Sequence, residues 1–258
     1  MSSTSPELLV EIQNTVMTIT INRPDRRNAV NLEVLQGLQE ALQKAEQDKT
    51  LRAVVLTGAG EKAFCAGADL QTGKSFAFDY SEPTMAFANV FRAARRLNVP
   101  LIGRVNGACM AGGMGLMSMC DMVVASDKAV FGLPEVKVGL FPAQVLSVFQ
   151  HLIPRRLLNE MCITGEPITA ACALEAGLLN YVSDNLDEKL AWLLSRVVDK
   201  SPAAIRRGIY TMKHAQSLSF EESMAFTESQ IGLFALTEDA KEGQLAFREK
   251  RSPVWPGH

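Results

Sequence analysis

The hydrophobic and polar positions of this chain change period several times, and each change marks an element. Val16–Ile21 reads VMTITI, apolar residues alternating with Thr in the two-residue period of a half-buried strand. The stretch from Asn22 to Asn28 is turn-rich. Asn31 is placed to cap the helix that follows, with Glu33 in its first turn. Leu35, Leu38, Leu42 and Ala45 then recur at spacings of three and four, which puts them on one helical face. Arg52–Thr57 (RAVVLT) predicts a buried strand that ends in Gly58-Ala-Gly60. A second cycle predicts a helix over 84–97, a strand over Pro100–Val105, a turn at Asn106-Gly107, a Gly/Met-rich helix from about 112 to 120 and a strand over Met122–Ala125. Strands separated by helices argue for an α/β core.

Beyond about residue 145 the strand signals fade. Segments 145–151, 154–163, 170–176 and 187–200 are helical in pattern, and Ser201-Pro202 reads as a helix start with proline in the first turn. Two further helices run to about 249, and the tail 252–258 is irregular. The expected division is a core over 1–200 and a helical region over 201–258. No internal repeat or low-complexity stretch is visible. Residues 71–84 form the one long connection without clear periodicity, a place for a lid or binding loop.

Composition narrows the picture. At 258 residues the chain suits one large domain or a core with an appendage, and 47% hydrophobic with 21% charged residues is ordinary for a globular protein. A net charge of −2 gives no footprint for nucleic acid or an anionic membrane surface. No apolar run approaches the roughly 18 to 20 residues that span a bilayer. No Lys or Arg precedes Arg23, so neither a secretory signal nor an arginine-rich presequence is expected. The five cysteines, at 65, 109, 120, 162 and 172, are odd in number and lack a Cys-x-x-Cys spacing. That favours reduced thiols in a cytoplasmic setting over a disulfide frame or a zinc site. The expected protein is cytoplasmic, with no metal, no nucleic acid and no membrane partner.

Three segments carry candidate chemistry. In Lys62-Ala-Phe-Cys-Ala-Gly-Ala-Asp69, straight after a strand, small residues let a ligand approach the backbone closely; equally, the segment is a tight connection with Asp69 as a helix cap. In Asn106-Gly-Ala-Cys-Met-Ala-Gly-Gly113 a glycine pair opens a helix, which leaves N–H groups free to face an anion or permits close helix packing. No Lys-Ser/Thr follows, so this is not a Walker loop. In Phe131-Gly-Leu-Pro-Glu-Val-Lys-Val-Gly-Leu-Phe-Pro142, Glu135 lies between Pro134 and an apolar run, where burial would raise its pKa toward an acid/base value; a solvated loop residue is the bland alternative. His151, His214 and His258 lie outside these segments, which disfavours a Ser or Cys hydrolase, and Cys65 reads as packing rather than nucleophile.

Taken together, the segments resemble the enoyl-CoA hydratase/isomerase (crotonase) family over nearly the whole chain. The matching stretches are Asn22-Arg-Pro-Asp with Arg27-Asn-Ala, Phe64-Cys-Ala-Gly-Ala-Asp-Leu70, Asn106-Gly107 with Ala111-Gly-Gly113, Cys120-Asp121, Phe131-Gly-Leu-Pro-Glu135 with Gly139, Thr164-Gly165, Ala176-Gly-Leu178 and the tail Phe247-Arg-Glu-Lys-Arg-Ser-Pro253. The resemblance implies an α/β fold, a spiral of ββα turns followed by a C-terminal helical trimerisation region, and a homotrimer or homohexamer. It implies an acyl-CoA substrate whose thioester oxygen is held by the backbone N–H groups of Ala68 and Gly112. It places the adenine near the backbone of Ala66 and Lys62 near a CoA phosphate. No separate cofactor is implied, because coenzyme A is part of the substrate.

One departure from the family pattern sets the expected reaction. Hydratases of this family use two glutamates; Glu135 matches one, and the other maps to Gly115, which has no acid/base group. The loop after Gly139, Leu-Phe-Pro-Ala-Gln-Val, also departs from the usual glycine-rich turn. Adding water needs one group to activate it and one to deliver a proton, whereas a 1,3-proton shift needs a single carboxylate that takes a proton and returns it. The implied activity is therefore a Δ3,Δ2-enoyl-CoA isomerase-type shift with Glu135 as acid/base. The alternative is an enoyl-CoA hydratase in which Asp79 or Glu82 supplies the missing carboxylate, and a non-catalytic acyl-CoA-binding protein is the reading of another class. A side chain at position 115 is expected to face the thioester end, glycine leaving that space to a water or the acyl chain. Phe76, Phe78, Met110, Met114 and Met117 are candidates to line the acyl pocket, the methionines being equally at home in a plain core.

Overall fold

The computed structural model describes residues 6–69 and 84–258. Strands β1 (Leu8–Gln13), β2 (Val16–Ile21), β3 (Ala53–Gly58), β4 (Ala63–Cys65), β5 (Leu101–Val105), β6 (Ala108–Met110), β7 (Met122–Ser126), β8 (Val130–Gly132), β9 (Ile168–Thr169) and β10 (Tyr181–Ser183) fall into two sheets. The large sheet has the order β1-β2-β3-β5-β7-β10 and the small one β4-β6-β8-β9. Only the β1/β2 and β8/β9 pairs are antiparallel among the described strands.

Three ββα units build this arrangement. Helices α2 (Ala86–Arg96), α3 (Gly112–Ser118) and α4 (Ala143–Phe149) follow the strand pairs β3/β4, β5/β6 and β7/β8. In each unit the first strand joins the large sheet and the second the small sheet, beside the strands of the preceding unit. The chain is thus an α/β spiral of ββα turns, as the resemblance implied. Helix α1 (Leu32–Gln47) forms where its pattern predicts: the Asn31 side chain accepts from the Val34 N–H at 2.9 Å, and Val34, Leu35, Leu38, Ala41, Leu42 and Ala45 are buried. The large sheet is covered on both faces. Val54 and Leu56 of β3 enter the main core, while Ala53 joins Ile102, Val124 and the buried Leu186, Leu193 and Val197 of α7 (Leu186–Val198). Two covered faces explain why β3 reads as an unbroken apolar run.

Six strands have no counterpart in the sequence reading: β1, β4, β6, β8, β9 and β10. All but β1 have two or three residues, too few to display a period. The predicted helices appear as α2, α3, α4, α5 (Arg155–Thr164), α6 (Ala170–Glu175), α7, α8 (Pro202–Ala215), α9 (Phe220–Ala235) and α10 (Glu238–Glu249), with ends displaced by a residue or two. Ser201 caps α8 by accepting from the Ala204 N–H at 3.0 Å. The irregular tail is anchored: buried Asp239 accepts from the Gly257 N–H at 2.7 Å, and the Trp255 indole donates to the Asp199 carbonyl at 2.9 Å. Helix α8 is tied to the core by Arg206, which donates to the Asp48 and Leu51 carbonyls, and by Lys213, which donates to those of Ala94 and Leu97. No helix among the described residues is long and apolar enough to cross a membrane.

Candidate active site

Two backbone segments meet where the small sheet feeds its helices. The first, residues 65–69, leaves β4 and runs back along Val30. The Val30 N–H donates to the Gly67 carbonyl at 2.8 Å and the Asp69 N–H to the Val30 carbonyl at 2.9 Å. This single parallel bridge, Val30 with Ala68, uses the groups on either side of Ala68. The N–H of Ala68 itself points away from Val30 and makes no hydrogen bond to another described residue.

The second segment leaves β6 and enters α3. Ala111 holds φ 51° and ψ −125°, which is uncommon for a residue with a Cβ. It is kept there by two hydrogen bonds: its N–H donates to the Gly132 carbonyl at 2.9 Å, and its carbonyl accepts from the Met114 N–H at 2.9 Å. Strain of this kind is found where a backbone group is being aimed. The peptide that follows Ala111 carries the Gly112 N–H, the first donor of α3, which has no partner within its own helix.

Glycines let the two segments touch. A Cβ on Gly67, whose φ is +94°, would lie 2.8 Å from the Ala111 Cβ and 3.1 Å from the Gly112 nitrogen. A Cβ on Gly113 would lie 2.3 Å from the Cys65 carbonyl oxygen and 2.9 Å from its Cβ. The Ala68 and Gly112 amides therefore sit on strands of backbone in direct contact. Cys65 is buried beneath them and its thiol is pushed up to about 12 by desolvation, so it is packing material and not a nucleophile at neutral pH.

Glu135 approaches from the third unit. Gly132, the carbonyl of which binds Ala111, ends β8, and a 3₁₀ turn over Pro134–Val138 carries Glu135 in its first turn. Gly139 closes the turn at φ 76°, and the Leu140 N–H donates to the Glu135 carbonyl at 3.0 Å. One carboxylate oxygen, Oε2, is buried and has no hydrogen-bond partner among the described residues. Desolvation raises the Glu135 pKa above its ordinary value. Burial, and then the neighbouring Glu135 carboxylate, raise the Cys162 thiol of α5 above its ordinary value. A half-buried carboxyl with an unpaired oxygen and a raised pKa has the properties of a general base.

The other predicted positions are a matter of burial and backbone. Lys62 is exposed, and its carbonyl accepts from the Ala108 N–H at 3.1 Å, which fixes the rim of the site. The Ala66 N–H donates to the Arg27 carbonyl at 3.0 Å. Met114 and Met117 are buried core residues, and Met110 is partly buried with its methyl group against Gly132. Phe76, Phe78, Asp79 and Glu82, with the expected lid, lie outside the described residues. The expectation of a space beside Gly115 is corrected. A Cβ there would lie 2.6 Å from the tip of the Phe91 ring and 3.4 Å from a Val145 methyl, so protein fills the place.

Several positioning residues escaped the sequence reading. Buried Asn28 donates to the Ala59 and Ala63 carbonyls at 3.0 and 2.7 Å, and Asn106 donates to the Gly60 and Ala63 carbonyls at 2.6 and 3.0 Å. The two asparagines thus grip the loop that launches β4. Arg23 pairs with Asp69 at 2.8 Å, both side chains nearly buried, and so ties the end of the first segment to the loop after β2. Asn22-Arg-Pro-Asp, Arg27-Asn-Ala and Asn106-Gly107 were visible as motifs, but their roles depend on contacts more than thirty residues apart. Phe87 and Phe91, one helical turn apart on α2, were not singled out; the available signal was their bulk opposite Gly112 and Gly115 at matching helical spacing.

A family model described as enoyl-CoA hydratase/isomerase matches residues 11–258. The chain is 34% identical over 256 residues to the 2,3-dehydroadipyl-CoA hydratase of Escherichia coli (strain K12), covering 97% of this chain and 99% of that protein. It is 32% identical to the short-chain-enoyl-CoA hydratase of Clostridium acetobutylicum, covering 95% of each. Among solved structures, the enoyl-CoA hydratase of Mycobacterium smegmatis superposes with a TM-score of 0.89 at 33% identity, covering 97% of this chain and 99% of that one.

Proposed function

Because the chain belongs to the enoyl-CoA hydratase/isomerase family, we propose that it is a Δ3,Δ2-enoyl-CoA isomerase-type enzyme in which Glu135 is the only acid/base group. Glu135 takes a proton from C2 of a 3-enoyl-CoA. The charge that develops on the thioester oxygen is held by the N–H groups of Ala68 and Gly112. The same carboxyl then returns the proton at C4, leaving the double bond between C2 and C3. Fixed amide donors aimed at a developing oxyanion need no rearrangement during the reaction, which is why such donors are effective. Lys62 at the rim and the backbone at Ala66 are assigned to the CoA phosphate and adenine. The five cysteines are free thiols, which suits the cytoplasmic setting proposed for the enzyme.

The observation that carries the isomerase reading is position 115: it has no side chain, and apolar atoms of Phe91 and Val145 fill the place. Hydration requires a second polar group to share water activation and proton delivery, and the described residues offer none there. The relatives named as hydratases support the coarser acyl-CoA activity and leave hydratase as the second reading. Incubation with a 3-enoyl-CoA and with a 2-enoyl-CoA, followed by product analysis, tests it. Conversion of the 3-enoyl to the 2-enoyl thioester, with little 3-hydroxyacyl product from either, is expected. Rapid hydration of the 2-enoyl thioester, lost on Asp79→Asn or Glu82→Gln, would establish the hydratase instead.

The enzyme is proposed to be a homotrimer or a dimer of trimers. Helices α9 and α10 and the turn between them leave Phe220, Ile231, Leu236 and Phe247 from 70% to 85% exposed. Apolar exposure on this scale marks an association surface. Sedimentation at micromolar concentration should give a trimer or hexamer; a monomer would contradict the assignment.

A further inference from the structure

We propose that Phe91 is a specificity-determining residue: its ring stands in for the second catalytic carboxylate and keeps water chemistry out of the site. The inference rests on the single-carboxylate reading and deepens it. Helix α3 presents two glycines, Gly112 and Gly115, three residues apart and hence on one face. Helix α2 answers with Phe87 and Phe91, four apart and also on one face. The match is close. A Cβ on Gly112 would meet the Phe87 ring tip at 2.6 Å, and a Cβ on Gly115 would meet the Phe91 ring tip at 2.6 Å. The two rings are tilted 60° with centroids 5.9 Å apart, and Phe91 is 8% exposed.

Real Cβ atoms do not approach other heavy atoms at 2.6 Å, so any side chain at 115 must displace the tip of the Phe91 ring. Either the ring occupies the notch or a side chain on α3 does. Val145 of α4 closes the notch from the other side, 3.4 Å from the same point. A carboxylate introduced at 115 would therefore meet first a buried ring and a valine methyl. It would be displaced or protonated there. Replacing Gly115 alone does not make a two-carboxylate site; the ring must be cut back in the same molecule.

The test uses the intact protein and four variants: Gly115→Glu, Phe91→Ala, and the doubles Phe91→Ala with Gly115→Glu and Phe91→Ala with Gly115→Met. Thermal melting reads the steric claim without reference to activity. Gly115→Glu should melt well below wild type. In the Phe91→Ala background the same change should cost far less, and Gly115→Met should raise the melting temperature by refilling the notch. The ratio of 2-enoyl-CoA hydration to 3-enoyl-CoA isomerisation reads the functional claim. It should stay near wild type in Gly115→Glu and rise at least tenfold in the Phe91→Ala/Gly115→Glu double. Equal melting penalties for Gly115→Glu in the two backgrounds would overturn the proposal, as would a single Gly115→Glu variant that is stable and hydrates well. Should wild type itself prove a hydratase, the isomerase reading fails by that measurement alone. In that case a non-additive melting result still confirms the steric exchange, and an unchanged reaction ratio in the Glu double refutes the role in specificity.

Discussion

Glu135→Gln is expected to lower kcat on an enoyl-CoA by about 10²–10⁴-fold, the range for loss of a positioned acid/base group, with KM within a few-fold of wild type. Glutamine keeps the shape of the side chain and the 3₁₀ turn over Pro134–Val138, but it cannot accept a proton from C2. Because Glu135 must begin ionised and desolvation raises its pKa, wild-type activity should rise with pH through an inflection above the ordinary glutamate value. The same shift sets the sign of its linkage to stability. The folded protein holds this proton to higher pH than the unfolded chain does. Its contribution is therefore most favourable below the ordinary glutamate pKa and is lost as pH rises through the raised one. The melting temperature of wild type relative to the glutamine variant should fall across that window. A glutamine variant turning over within a few-fold of wild type would remove Glu135 from the mechanism.

Gly113→Ala is expected to be nearly as damaging without touching a reacting group. The added methyl would lie 2.3 Å from the Cys65 carbonyl oxygen, and a backbone atom cannot swing aside as a flexible side chain does. The N-terminus of α3 must move away from the 65–69 segment and carry the Gly112 N–H with it. Loss of one oxyanion donor costs about 10²–10³-fold in rate, and overpacking of this kind typically costs about 1–3 kcal/mol of stability. Steady-state kinetics with circular dichroism and melting curves would check it: a lowered kcat in a folded protein supports the converging backbones. Unchanged kcat would mean that the two segments do not need their close contact.

What could be read from the chain follows the physics of each element. Helix α1 was legible because sixteen residues display a full amphipathic face and Asn31 is a local cap. Strands β2 and β3 were legible from alternation and from an unbroken apolar run. The small sheet was not, because β4, β6 and β8 have three residues each and owe their existence to neighbours contributed by the next turn of the spiral. For the same reason three ββα units exist in space without a repeat in the sequence.

The site shows the same division. Glu135 stood out in its own segment and Ala68 and Gly112 through the family resemblance that the contiguous motifs carry, and the structure sets Ala68 and Gly112 on touching backbones. The grip of Asn28 and Asn106 on the Ala63 carbonyl was hidden, since it joins residues 35 and 43 positions apart. The Phe91–Gly115 exchange was hidden in another way. A glycine in a helix is consistent with empty space or with a neighbour's ring, and only the packing of α2 decides between them.

The central claim is that one carboxylate moves one proton along an acyl-CoA, and isotope transfer tests it most directly. A 3-enoyl-CoA deuterated at C2 should give, in ordinary water, a 2-enoyl-CoA that carries part of the deuterium at C4, because Glu135 takes and returns the same nucleus faster than solvent fully replaces it. A 3-hydroxyacyl-CoA as the main product, with none of the abstracted deuterium at C4, would contradict the account.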